Sequence, residues 1–225
     1  IGIDNYKNIS NLKTARADAR AVAKVLKENY GFRVSLMLDP NRDEMIDKLD
    51  DLRATLKYND NLLIYYAGHG WLDEKGDVGY WLAADAKDNR RSKWISNATI
   101  TDTLKTLESK HVMVVADSCY SGRLVRGLSV SLRKPDLEQL VKKKARVVIT
   151  SGGLEPVDDN SGSGHSPFTD ALLKSLEENT GVLDGNALFN SIRRPVMVNA
   201  DQTPQFSDVR KAGHEGGDFL LVRRN

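Results

Sequence analysis

The chain has 225 residues, 40% of them hydrophobic and 28% charged, and 33 basic side chains against 31 acidic ones leave a net charge of +2. That length suits one domain with a core of ordinary size, and so small a charge excludes capture of nucleic acid or a membrane surface by bulk attraction. One cysteine excludes an internal disulfide, and no apolar run approaches the ~18 residues of a membrane span.

The chain opens at Ile1-Gly2-Ile3-Asp4, which reads as the tail of a buried strand. With no initiating Met, residues upstream are expected. No signal peptide is visible, so a cytoplasmic location is the default expectation. Ala15, Ala19, Val22 and Leu26 recur on one face and predict a helix over 14–30, stopped by Gly31. Residues 33–38 alternate as a strand would, and Asp39-Pro40-Asn41 is a turn. A second helix follows over 42–56, with Met45, Ile46, Leu49, Leu52 and Leu56 inside.

Asn61 to Tyr66 is a continuous apolar strand ended by Ala67-Gly68-His69-Gly70. Residues 71–97 form a polar excursion that carries all three tryptophans, with a hairpin expected at 78–83. A helix is predicted over 100–107 and a strand over 111–116, the latter ended by Asp117-Ser118-Cys119. Residues 120–144 are weakly patterned and rich in Arg and Lys. A strand over 145–150 ends in Ser151-Gly152-Gly153, and 155–164 is a polar loop. Helices over 168–176 and 187–192 and a short strand over 219–222 complete the chain. Strands alternating with helices imply an α/β fold with a mostly parallel sheet covered on both faces. The site of such a sheet lies beyond the carboxyl ends of its strands, where His69, Cys119 and Ser151 all fall.

Two parallel strands that stop side by side would bring the His69 imidazole and the Cys119 thiol to one sheet edge. A free thiol has a pKa of about 8.5 and needs a neighbour to become a nucleophile near neutrality. A lone cysteine is otherwise among the most buried of residues, and His69 alone would be equally bland; the pairing carries the reading. His111, His165 and His214 read as surface or loop residues, although the loop of His165 returns toward the strand ends. One cysteine and scattered histidines do not make a zinc site.

The segment Tyr66-Ala67-Gly68-His69-Gly70 together with Asp117-Ser118-Cys119-Tyr120-Ser121-Gly122 resembles the caspase-like cysteine peptidases, in their metacaspase and bacterial orthocaspase branch. Gly2-Ile3-Asp4-Asn5-Tyr6, Ala17-Asp18-Ala19 and Gly164-His165-Ser166-Pro167-Phe168-Thr169 look like further parts of that domain, so the likeness covers most of the chain. Ala67 departs from members that carry Ser before Gly-His-Gly. The resemblance implies a single caspase-like domain over 1–225 with a six-stranded, mostly parallel sheet between helices. It would divide into a large-subunit-like part (about 1–125), a basic linker (about 126–144) and a small-subunit-like part (about 145–225).

The resemblance also implies a Cys119/His69 dyad without a third member, and an acidic pocket walled by Asp18 and Asp117 that takes Arg or Lys before the scissile bond. The rival readings are a solvated helix position for Asp18 and a turn residue for Asp117. Gly70 and Cys119 are the natural backbone donors of an oxyanion hole. Ser151 and Gly152 are candidates to pair with extended substrate, or they form an ordinary turn. The basic run that includes Lys142-Lys143-Lys144-Ala145-Arg146 offers sites for self-cleavage, or is a solvated helix; without interleaved aromatics it does not suggest nucleic-acid binding. No cofactor is expected. Calcium stays open, with Asp73, Asp77, Asp85 and Asp88 in the excursion after His69 as acidic residues near the site and no EF-hand pattern among them. The expected partner is a protein or peptide substrate, and the expected assembly a monomer. The competing functions are a catalytically silent caspase-like scaffold and a hydrolase or transferase acting on small molecules.

Overall fold

The computed structural model describes residues 1–118, 137–152 and 163–224. In chain order the elements are α1 (Ala15–Tyr30), α2 (Arg42–Thr55), β1 (Asn61–Ala67), β2 (Gly70–Asp73), β3 (Val78–Leu82), β4 (Trp94–Ser96), α3 (Asn97–Thr106), β5 (His111–Asp117), α4 (Leu137–Lys142), β6 (Ala145–Thr150), α5 (Pro167–Glu178), β7 (Val182–Asp184), α6 (Gly185–Asn199), β8 (Gln205–Asp208) and β9 (Leu220–Val222).

The main sheet runs β1-β5-β6-β8. The first three strands are parallel and β8 closes one side antiparallel. On the other side Gly2 bridges both Ala67 and Leu38 in parallel, so two further backbone passes flank β1. The expected six lines are reached only by counting these two single-residue bridges beside four true strands. The predicted strand over 33–38 is therefore reduced to a bridge at Leu38. Val34 and Leu36 are each 40% exposed, because the alternating segment faces a partner only one residue long.

β5 is buried along its whole length, as a central strand covered on both faces must be. Val112, Val114 and Ala116 pack on the side of α2 and α3, with Met45, Leu49, Ile100 and Leu104. Met113 and Val115 pack on the opposite side with α1, α5 and α6, through Val22, Leu26, Phe168, Leu172 and Ile192. Gly31, at φ 70°, ends α1 in the left-handed conformation that glycine adopts without strain. The excursion after His69 holds more order than a hairpin: β3 pairs antiparallel with β2 on one side and with β4 on the other. β7 and β8, too short for a pattern to reveal, add a second small ladder with β9 and the closing edge of the main sheet.

Arg146 on β6 is fully buried, and among the described residues no carboxylate bonds to it. Its guanidinium donates to five backbone carbonyls: Leu104, Leu107, Ser109, Lys110 and Ala145, at 2.8–3.1 Å. Those of Leu104 and Leu107 lie where α3 ends, with orphan acceptors to satisfy. All five N–H donors of the side chain are thereby used. Burial lowers its pKa to about 10, with the charge of Glu215 opposing the fall. Replacing Arg146 by Met should strand these carbonyls, cost roughly 3–5 kcal/mol and lower Tm by about 10 °C; thermal denaturation checks it, and a change below about 1 kcal/mol would show that water fills the gap.

Candidate active site

The β1/β5 register places Ala67 opposite Asp117, and Gly68 N donates to the Asp117 carbonyl at 3.3 Å. His69 thus leaves the sheet edge beside the strand that leads into Cys119. Cys119 itself, with the rest of 119–136, lies outside the described residues, as does 153–162.

His69 is held at several points. Its N–H donates to the Tyr6 hydroxyl at 2.7 Å, and its carbonyl accepts from the Tyr66 hydroxyl at 2.7 Å. The Tyr6 ring packs against the imidazole with centroids 4.8 Å apart. A Cβ on Gly68 would stand 2.8 Å from both tyrosine oxygens, so only glycine lets the turn pass between them. His69 Nε2 lies 3.0 Å from the Ser10 carbonyl. A carbonyl can only accept, so Nε2 carries the proton and the lone pair of the neutral ring sits on Nδ1. Tyr6 and Ser10 come from a loop pinned by Asp39, which accepts from the N–H groups of Asp4 and Asn5 and from the Asn5 side chain. Gly70 opens β2 opposite Trp81. The ladder bond at this step runs from Leu82 N to the His69 carbonyl, so the Gly70 N–H is turned away from β3.

Asp18 and Asp117 are 1% and 4% exposed, and the N-terminus of α5 brackets both. Ser166, the N-cap of α5, donates from Oγ to Asp117 Oδ2 at 2.5 Å and from its N–H to Asp18 Oδ2 at 3.4 Å, while accepting from Thr169 N. The Thr169 hydroxyl adds a bond to Asp117 Oδ2 at 3.2 Å and meets the Tyr65 hydroxyl at 2.6 Å. His165 Nδ1 lies 2.6 Å from Asp18 Oδ1. Asp117 Oδ1 is buried without a hydrogen-bond partner among the described residues. Burial, and then the charge of Asp117, push the Asp18 pKa up to about 7, with His165 opposing the rise. Burial also raises Asp117, against the hydrogen bonds from Ser166 and Thr169. Asp18 is thus neither a solvated helix position nor unrelated to Asp117.

Ser151 and Gly152 are buried at the end of β6, which lies between β5 and β8, and Ser151 N donates to the Ala116 carbonyl at 3.0 Å. A peptide added there finds that N–H already committed. In the excursion, Asp73 pairs with Arg91 at 3.3 Å and Asp85 with Lys93 at 3.2 Å. Among the described residues no group of three His, Cys, Asp or Glu side chains is placed to hold a metal ion. None of the described helices is long and apolar enough to cross a membrane.

Sequence reasoning passed over Tyr6, Ser10 and Ser166, whose parts depend on contacts across 49 to 63 positions. The Ser166-Pro167-Phe168-Thr169 start of α5 was the available signal, since a serine N-cap followed by proline marks a helix start.

A carboxylate raised to about 7 in the folded chain and near 3.9 in the unfolded chain binds a proton when folded that the unfolded chain has released. Its stabilising contribution is complete below about pH 4 and is lost as pH rises through about 7. Going from pH 6 to pH 8 should cost roughly 1–1.5 kcal/mol from this group, and Asp18→Asn should flatten that slope. Urea unfolding of both proteins at the two pH values checks it; equal slopes would show that Asp18 ionises normally.

The profile of the caspase domain matches residues 1–212. Metacaspase-1A of Neurospora crassa is 24% identical over 220 residues, covering 89% of this chain and 47% of that protein. The chain thus spans about half the length of this curated relative. Among solved structures, a protein from Geobacter sulfurreducens aligns with a TM-score of 0.68 at 19% identity, covering 92% of this chain and 90% of that one. Caspase-1 from Spodoptera frugiperda aligns with a TM-score of 0.59 at 17% identity, covering 92% and 84%. With the family profile spanning nearly the whole sequence, the chain belongs to the caspase-domain family of cysteine peptidases.

Proposed function

We infer that the chain is a cysteine endopeptidase that cleaves after Arg or Lys. Cys119 is the nucleophile, His69 its base and acid, and Asp18 and Asp117 line the pocket for the residue before the scissile bond. The observation that carries this reading is the pair of buried carboxylates at the sheet edge, one of them two residues before Cys119 and with an oxygen that has no hydrogen-bond partner among the described residues.

His69 Nδ1 takes the thiol proton, and the thiolate attacks the peptide carbonyl. The tetrahedral oxyanion is met by backbone N–H groups, for which Gly70 and Cys119 are assigned; each such donor is worth roughly 3–4 kcal/mol. Collapse of the intermediate breaks the C–N bond, and the imidazolium returns its proton to the leaving amine. A water activated by the same ring then hydrolyses the thioester. The Ser10 carbonyl holds the ring in the tautomer these steps require.

The substrate cation would satisfy what the fold leaves unsatisfied. Two carboxylates with raised pKa attract a guanidinium or ammonium and repel an acidic side chain. Self-processing fits this specificity in the basic linker, where Lys142, the last residue of α4, and Lys143 are exposed. A silent scaffold has no use for a histidine fixed in one tautomer near two buried carboxylates.

Fluorogenic peptides with Arg, Lys or Asp before the scissile bond, assayed with and without calcium, test the proposal. Arg and Lys peptides should be cleaved and Asp peptides not. Cys119→Ala and His69→Ala should each abolish turnover, and Asp117→Asn should lower kcat/KM by roughly 30-fold or more. Turnover of the Asp peptide with the basic ones untouched would overturn the assignment. In a mass spectrum, a linker cut absent from Cys119→Ala would identify self-processing.

A further inference from the structure

Asp18 and Asp117 do not offer their charge on equal terms. Asp117 keeps Oδ1 without a hydrogen-bond partner among the described residues. Asp18 has both oxygens engaged, Oδ2 by Ser166 N at 3.4 Å and Oδ1 by His165 Nδ1 at 2.6 Å. His165 plays no part in the bond chemistry, yet its side chain, 26% exposed, reaches from the loop before α5 to a carboxylate on α1 that is 1% exposed. The titratable groups around it among the described residues are Asp18 on α1, Asp117 on β5, Tyr65 on β1 and Asp170 on α5. The Asp170 carboxylate accepts from Ser163 Oγ, which in turn accepts from His165 N. All of them are acids.

We propose that His165 is a specificity-determining residue of the acidic pocket: its imidazole holds Asp18 as an internal stand-in for the basic side chain of the substrate, which must share that carboxylate or displace the ring. The inference rests on the Arg/Lys reading of the pocket. The ring takes one lone pair of Asp18 Oδ1, so a substrate cation meets that oxygen already engaged.

The two basic side chains meet this arrangement differently. A guanidinium spreads five donors over a planar fork. It can reach Asp117 Oδ1 and a second lone pair of Asp18 with the ring in place. An ammonium is a compact charge with three donors and must come close to Asp18, where the ring already sits. His165 therefore favours Arg over Lys.

The test is KM and kcat for matched Arg and Lys peptides at about pH 8.5, above the range in which Asp18 takes up its proton, in the wild type, in His165→Asn and in His165→Gln, with Tm measured to confirm folding. In the variants, the Lys KM should drop by about 3- to 10-fold, the Arg KM should change less, and kcat should move much less than KM. An equal change in KM for both peptides, or none, would show that the ring merely props Asp18, and would overturn the proposal. Failure of the pocket reading looks different: the wild type would then prefer neither basic peptide over one with Ala, Asp117→Asn would leave KM unchanged, and the role of His165 would fall with it.

Discussion

The pairing of Ala67 with Asp117 across two parallel strands is the constraint on which the site depends. Because side chains alternate along a strand, a slip of one residue would turn every β5 side chain to the other face. Val114 would then meet α5 and α6, and Val115 would meet α2 and α3, each in space shaped for its neighbour. Packing on both faces therefore fixes where β5 stops. That stop sets Asp117 beside the turn that carries His69 and decides where the chain enters Cys119.

Around that edge the molecule accepts cost in one place and invests order in another. The histidine is over-determined: two tyrosine hydroxyls, a tilted tyrosine ring and a backbone carbonyl hold it, and a glycine is required for the turn to fit. The acidic pair is the reverse. Two carboxylates are drawn out of water toward each other, and the cap of α5 relieves only part of the strain. The positive end of that helix helps to hold negative charge there. A buried anion that is only partly compensated is ready to receive a cation, and the fold bears it because the surrounding strands and helices are packed on both sides.

What could be read in the sequence divides along physical lines. The apolar runs of β1, β5 and β6 and the face of α1 were legible because burial on both sides leaves continuous apolar stretches and helical burial leaves a 3.6-residue period. His69 stood out because a strand cannot continue through Gly-His-Gly. β7 and β8 were not legible: three or four residues carry no period, and their pairing comes from strands far away in the chain. Residues 33–38 misled because alternation says what a segment could do, and only a partner of matching length makes it a strand. At the site, Asp117 could be suspected from its place before Cys119. The contact of Asp18 with His165, across 147 positions, could not be derived from local pattern at all.

Arg146 gains a second meaning once the proposed specificity is set beside it. An enzyme that reads guanidinium groups is surrounded by its own, since every copy is a potential substrate of the next. Here one arginine lies in a central strand with its head sealed among carbonyls and its backbone paired to neighbours on both sides. The bond after it is out of reach of any protease that needs an extended, exposed chain. Under the proposed specificity, self-cleavage in this stretch would be confined to basic residues before the strand, such as the exposed Lys142 and Lys143, and the buried strand would stay whole.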